Sequence, residues 1–338
     1  MIGAANGNRV SITGLGSSVP KRVVTNDELA ERVDTSDEWI VARTGIRERR
    51  VAGPDEALSD FCLPAAREAL DRAGVRAEDL DLVIVATVTP DMSFPATAVI
   101  VADQLGAAKA GAYDLSAGCT GFVYALAQAY AMLASGVGRR ALVVGADLTS
   151  KILNWNDRTT CVLFGDGAGA VVIERVDKGG FLGFELGADG SGGMELYLAA
   201  GGSRKPATSE TVAAGEHFAR MNGREVFKFA TRVLVSSANE LLDEVGLTVD
   251  DVDLYIPHQA NIRIINYATE KLGFPIEKVV VNVDRFGNTS SGSIPLALAD
   301  AQRDGRLQKG QIVLMTGMGA GLTWGSGVME WTSNGVAT

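Results

Sequence analysis

Residues 68–85, EALDRAGVRAEDLDLVIV, and residues 240–257, ELLDEVGLTVDDVDLYIP, are two versions of one segment. Glu68 matches Glu240, Leu70 Leu242, Asp71 Asp243, Gly74 Gly246, Asp79 Asp251, Asp81 Asp253 and Leu82 Leu254, always 172 positions apart, as 240 is from 68. The same spacing carries Ala125-Leu126 onto Ala297-Leu298 and Gly145 onto Gly317, and without a gap it sets Ser291 opposite Cys119. An offset near half of a 338-residue chain implies two copies of one unit related by a pseudo-dyad. Each copy alternates strand and helix, which predicts a layered α/β architecture. The join is expected at Lys178-Gly179-Gly180, giving halves 1–178 and 179–338.

Within the first half, Tyr113–Tyr130 reads YDLSAGCTGFVYALAQAY. Tyr113-Asp114-Leu115 is a strand end and Ser116-Ala117-Gly118 a small-residue turn. Phe122, Ala125, Leu126, Ala129 and Tyr130 then recur with helical spacing, on a helix apolar nearly all round and so buried. Cys119 is delivered to the start of that helix, where free N–H groups and the dipole favour a thiolate. An inert buried cysteine is the plain alternative.

The second half places two polar residues in comparable settings. Leu254-Tyr255-Ile256 is a short strand that ends in Pro257-His258-Gln259-Ala260-Asn261, and strand C-termini are where α/β proteins carry sites. Val279–Val283 reads as a further strand before Arg285-Phe286-Gly287-Asn288-Thr289-Ser290-Ser291-Gly292-Ser293. That turn either caps a helix or, by the repeat, meets the Cys119 turn, so that Cys119, His258 and Asn288 share a pocket. After the strand Leu314–Thr316, the glycine turn Gly317–Gly325 can bring backbone N–H groups to a substrate oxygen.

Other stretches are less specific. Arg9–Thr13 reads as a strand and Gly14–Ser18 as its turn, without the third glycine of a dinucleotide loop. Thr25 or Asn26 caps a short helix. In Thr35–Ile46, Trp39 and Arg43 share a helical face, as a half-buried surface pair or as a platform for a nucleotide. Helices are expected over Asp60–Ala73 and Thr97–Leu105, strands over Leu82–Thr87, Ala141–Gly145 and Val171–Arg175. Phe164–Ala170 lacks the Gly-Lys-Ser/Thr of a phosphate loop and suits close backbone packing. Gly187–Gly215 reads as loop, and His217 as an exposed bystander.

The net charge of −10 argues against general nucleic-acid binding. Three cysteines, Cys62, Cys119 and Cys161, suggest a reducing compartment without a disulfide framework. MIGAANGNRV lacks the features of a signal peptide, and no uncharged apolar run reaches 18 residues, so a cytoplasmic location away from membranes is expected.

Five separated motifs together resemble β-ketoacyl-[acyl-carrier-protein] synthase III of the thiolase superfamily. They are Asp37-Glu38-Trp39-Ile40, Ala117-Gly118-Cys119, Pro257–Asn261, Gly287-Asn288-Thr289-Ser290 and Gly319–Gly325, in a likeness running from about Val10 to the end of the chain. The resemblance implies a duplicated thiolase-like fold layered αβαβα, with the nucleophile in the first half and His and Asn in the second. It implies a Cys119–His258–Asn288 triad and an oxyanion site at the backbone N–H groups of Cys119 and Ala320. Trp39, Arg43 and Arg158 match coenzyme A contacts. Gln259, Ala260, Asn261, Ile262 and Arg263 match the segment that receives the acyl carrier protein, and Lys228, Arg263 and Lys271 are the basic candidates for docking it. Phe94 is placed near the floor of a partner's acyl pocket in a homodimer. Two positions depart from the pattern: Ala320 stands where many relatives have Gly, and Arg224 where some have Asn.

The implied reaction loads an acyl group from acyl-CoA onto Cys119 and joins it to malonyl-acyl carrier protein with loss of carbon dioxide, initiating fatty acid synthesis. It needs no metal or redox cofactor. A relative that primes a polyketide or another dedicated pathway is the alternative. A papain-like hydrolase shares the order Cys, His, Asn but lacks its local Cys signature here, and a thiolase would carry a second Cys after Cys161. A non-catalytic scaffold would have no use for an intact triad. The acyl starter is left open.

Overall fold

The computed structural model describes residues 2–3 and 8–333, so half of the N-terminal stretch read for a leader lies outside the described residues. Gly14–Ser18, expected as a turn, continues the strand Arg9–Ser18. A Cβ on Gly14 would lie 2.1 Å from the Ala69 carbonyl oxygen, and one on Gly16 2.0 Å from that of Ala65. These glycines let the helix Leu58–Ala73 rest directly on strand backbone, so they extend the strand rather than end it. Of the next glycine run, Asp166–Ala170 likewise belong to a strand, Asp166–Val176, which starts ahead of the expected Val171. Its close-packing role holds: a Cβ on Gly169 would lie 2.6 Å from the Cβ of Pro295.

Two mixed sheets result. The first runs Arg9–Ser18, Asp166–Val176, Arg140–Leu148, Leu82–Ala86, Gly111–Leu115; the second runs Ile2–Gly3, Gly180–Ala188, Thr323–Glu330, Ile312–Gly319, Leu254–Pro257. The repeat is visible in the elements. Shifted by 172 positions, Ala77–Asp79 falls on the one-turn helix Val249–Asp251, Leu82 on Leu254, the turn Gly118–Thr120 on Ser290–Gly292, Gly121 on Ser293 and Arg140 on Ile312, each at the start of its element. Gly74 and Gly246 close matching helices in left-handed conformation, φ +65° and +72°.

Helices Leu58–Ala73 and Thr97–Leu105 cover the outer face of the first sheet, on Val83, Val85, Leu142 and Val144. Gly121–Ser135 and Ser293–Arg303 fill the middle, between Val143 and Ile173 of one sheet and Ile256 and Met315 of the other. Helix Gly223–Val245 lies outside the second sheet, where Ala238 and Leu241 pack with Leu314 and Val328, and Ile262–Leu272 lies beside it. The order is helix, sheet, helix, sheet, helix, the duplicated thiolase-like arrangement. Phe122, Leu126 and Tyr130 of the middle helix are wholly buried, worth about 1.5–3 kcal/mol for each large apolar side chain.

Val279–Val283 is not a strand. Val279 makes one isolated bridge to Tyr255, and Val283 begins the short helix Val283–Phe286. The side chain of Gln259 takes the bonds a ladder would have supplied. Its Nε2 donates to Pro257 O and Val280 O, and its Oε1 accepts from the N–H groups of Asn282 and Val283. The stretch Gly187–Gly215 also holds more than loop, including the strand Leu196–Leu198 and the helix Ser209–Ala213. His217 is half-buried, its ring tilted against that of Phe218 with centroids 3.9 Å apart, and not an exposed bystander.

Candidate active site

Gly118 adopts φ +56° and turns the chain out of the strand Gly111–Leu115. Cys119 then lies in the single turn Gly118–Thr120, just ahead of the helix Gly121–Ser135. A second glycine turn closes over it. A Cβ on Gly319 would lie 2.4 Å from the Cys119 nitrogen, and one on Gly118 2.7 Å from the Ala320 nitrogen. The backbones of Cys119 and Ala320 can approach this closely because both neighbours lack side chains. A tetrahedral oxyanion requires two backbone N–H donors held near one another.

The expected thiolate does not hold for the resting site. Burial pushes the Cys119 thiol up to about 12; a hydrogen bond with Ser290 lowers it, and the charge of Asp147 raises it further. Desolvation of the charged form outweighs the helix end. Cys119 is therefore a thiol at neutral pH.

His258 follows the strand Leu254–Pro257 and extends its pairing, donating its backbone N–H to Thr316 O at 2.8 Å. Burial drives its imidazole down to about 3, so the ring is neutral. Its Nδ1 is 2.5 Å from Ser293 Oγ, while its Nε2 is buried with no partner. Asn288 is buried too, and its Oδ1 accepts the Ser290 N–H at 2.8 Å. That bond identifies the oxygen end of the amide and turns the NH₂ end elsewhere. The two repeat-related turns meet, with Ser291 Oγ donating to Gly118 O at 2.9 Å.

One cleft of about 220 Å³ is lined by Cys119, His258 and Asn288, and also by Trp39, Arg43, Arg158, Phe227, Ala260 and Asn261. A second, largely apolar chamber of about 220 Å³ also reaches Cys119, walled by Val88, Ile152, Leu153, Leu196, Leu198, Ser290 and Ala320. Cys119 belongs to both. At the mouth, the guanidinium carbons of Arg43 and Arg158 lie 4.6 and 5.0 Å from the Trp39 ring centroid. Ser36 caps the Trp39 helix by accepting the Trp39 N–H at 3.2 Å, and Gly45 ends it in left-handed conformation.

The candidate docking residues divide. Arg263 and Lys271 are exposed on the helix Ile262–Leu272, and Lys228 is exposed on Gly223–Val245, paired with Glu225 at 2.7 Å. Asn261 caps its helix through the Arg263 N–H, and Ile262 packs against Gly45. Gln259 is only 1% exposed with its amide fully used inside, so its side chain is an internal brace, not a docking contact. Arg224 is exposed. Phe94 is 85% exposed and lines neither chamber of its own chain.

Two polar residues of the site have no periodic signal and no motif of their own. Asp147 is buried and accepts from Thr87 Oγ, Val88 N and Ser291 N, tying the strand ends of one half to the Asn288 turn of the other. Ser293 supports His258. An aspartate inside the apolar run Ala141–Leu148 was the one available hint of the former. Among the described residues, no group of three or more His, Cys, Asp or Glu could hold a metal ion. Among the described residues, no helix is long and apolar enough to cross a membrane.

A Cys, His and Asn converging in a duplicated αβαβα frame define a condensing enzyme of the thiolase fold. The comparisons carry this to the family. Residues 113–190 match the model for 3-oxoacyl-[acyl-carrier-protein] synthase III, and 242–331 the model for its C-terminal part. The β-ketoacyl-[acyl-carrier-protein] synthase III of Symbiobacterium thermophilum is 56% identical, over 95% of this chain and 98% of that protein. That of Desulfitobacterium hafniense is 54% identical, over 97% and 99%. The crystal structure of the Thermus thermophilus enzyme superposes with a TM-score of 0.89 at 50% identity, over 96% of this chain and all of that one. The chain belongs to the β-ketoacyl-[acyl-carrier-protein] synthase III family, and it is an acyltransferase that condenses acyl units at the start of fatty acid synthesis.

Proposed function

We propose that Cys119, His258 and Asn288 divide this condensation between acyl transfer and carbon–carbon bond formation. The observation that carries the reading is the single cleft running from Trp39, Arg43 and Arg158 down to all three side chains. An acyl-CoA would enter there, with its adenine at Trp39 and Arg158 and a phosphate at Arg43. Cys119 Sγ attacks the thioester carbonyl, and the N–H groups of Cys119 and Ala320 hold the oxyanion. The C–S bond to coenzyme A breaks, and the thiol proton leaves with it. The acyl chain extends into the apolar chamber that also reaches Cys119.

A malonyl-acyl carrier protein then takes the emptied cleft. Its carbon–carboxylate bond breaks, carbon dioxide departs, and the electron pair becomes an enolate whose oxygen is met by His258 Nε2 and Asn288 Nδ2. The enolate carbon attacks the acyl-Cys119 carbonyl, and the sulfur leaves and regains a proton. Every step balances on the thioesters, these groups and one proton that the departing sulfur takes from solvent, so no cofactor beyond the coenzyme A thioester is proposed.

The same reading places the catalytic nucleophile in half 1–178 and the enolate donors in half 179–338. It assigns the enzyme to the cytoplasm. It makes the exposed apolar residues Met92, Phe94 and Val99 the face that a second copy covers in a homodimer, with Phe94 reaching its neighbour's acyl chamber.

The test separates the half-reactions. In Asn288→Ala, malonyl-carrier decarboxylation is expected to fall about 10²–10³-fold, the usual effect of removing one oxyanion donor. Mass spectrometry should still show acyl-Cys119 after acyl-CoA treatment, whereas Cys119→Ala should carry no acyl group. An Asn288→Ala enzyme that fails to load yet still decarboxylates would reverse the assigned roles.

A further inference from the structure

We propose that Ser293 is a positioning residue that holds His258 as its Nε2–H tautomer, so that the ring presents a proton and no lone pair to the cleft. The geometry at Ser293 Oγ carries this. Among the described residues this oxygen has two partners, the backbone N–H of Gln259 at 3.4 Å and His258 Nδ1 at 2.5 Å. A hydroxyl has one proton to give and two lone pairs to receive with. The Gln259 N–H takes up one lone pair. If Nδ1–H filled the other, the hydroxyl proton would be buried with nothing to accept it, since Ser293 is only 1% exposed. If the hydroxyl donates to Nδ1 instead, each of these groups is satisfied. The ring proton then resides on Nε2, the buried atom with no protein partner on the ring that lines the cleft.

The repeat shows that this hydroxyl is peculiar to the second half. The position corresponding to Ser293 in the first half is Gly121, where a Cβ would lie 2.9 Å from Ser291 Oγ. Copy one thus supplies a nucleophile and a bare helix start, and copy two the same helix start carrying a proton donor for its histidine. With Nδ1 occupied and Nε2 protonated, His258 is set to donate to an enolate oxygen and has no free lone pair to accept the Cys119 proton. The inference rests on the proposed role of His258 as enolate donor for its kinetic consequence, but not for the tautomer itself.

The chain has only two histidines, so ring-¹⁵N-labelled protein gives two sets of imidazole signals, with His217→Gln identifying those of His258. A long-range ¹H–¹⁵N spectrum of the wild type near neutral pH should show His258 with a protonated-type Nε2 and an unprotonated, hydrogen-bonded Nδ1. In Ser293→Ala the Nδ1 signal should lose its hydrogen-bond shift. Malonyl-carrier decarboxylation should fall at least about 10-fold, a part of the 10²–10³ that a whole donor is worth. Loading of Cys119 from acyl-CoA should stay within about twofold, and Ser293→Thr, which keeps the hydroxyl, should recover most of the lost rate. A wild-type spectrum with the proton on Nδ1 overturns the proposal whether or not the variants fold. So does a folded Ser293→Ala that decarboxylates at the wild-type rate, or that loses loading and decarboxylation equally. A wild type with the expected tautomer but no decarboxylation at all would instead reject the proposed function and leave the assigned tautomer standing.

Discussion

Cys119 shows how burial and a helix end compete at one atom. A thiol in front of a helix N-terminus is usually expected to ionise more readily, but this one is held near 12 because its charged form would lose water on every side. The free enzyme should therefore react slowly with iodoacetamide at pH 7, and the rate at Cys119, followed by peptide mass spectrometry, should still climb about tenfold per pH unit at pH 9. A plateau below pH 8 would mean a stabilised thiolate and would contradict the burial argument. On the proposed mechanism, acyl transfer then forms the sulfur anion only as the thioester carbonyl reaches Cys119. Cys119, His258 and Asn288 were legible because each lies on a small-residue or strand-end turn with a motif around it. The support that Ser293 gives His258 and the brace at Gln259 were not, since side-chain bonds to groups 35 and 21 positions away leave no periodic trace.

At the scale of elements, the 172-residue repeat predicted the layered frame well, because matching loops, caps and strands must share a length if two copies are to stack. It missed where glycine lengthens a strand, as at Gly14 and Gly16, since a turn and a helix-backed strand both favour residues without side chains. It missed Val279–Val283 because strand-like composition cannot reveal that a glutamine side chain has replaced a neighbouring strand. Gln259→Leu would strand the N–H groups of Asn282 and Val283 in the interior, at about 1–3 kcal/mol for each unpaired group. We expect a loss of about 2–5 kcal/mol, read as a lower urea midpoint at unchanged slope. At a temperature where the variant is folded, its KM for the malonyl carrier should match the wild type; a selective rise in that KM would return Gln259 to the docking surface.

The molecule as a whole carries a charge of −10, so an acidic carrier protein would be repelled at long range unless it met a local patch of opposite sign. Arg263, Tyr267 and Lys271 recur every four residues along one face of the helix Ile262–Leu272. Arg263 makes no ion pair among the described residues and lies 5.5 Å from the ring of Phe227, a residue of the cleft wall. Lys228 by contrast is already matched by Glu225, which leaves less field for a partner. A carrier held at Arg263 would stand at the cleft mouth, with its thioester arm directed toward Cys119. Arg263→Glu should therefore slow carrier-dependent condensation about tenfold or more at low salt. The deficit should shrink as ionic strength rises, because the lost attraction is one that salt already screens. Acyl-CoA loading, proposed to use the Trp39, Arg43 and Arg158 end of the same cleft, should change by less than about twofold. Measuring both half-reactions across a salt series decides the point: equal losses in loading and condensation would mean that Arg263 supports the cleft rather than the partner, and the docking face would have to lie elsewhere.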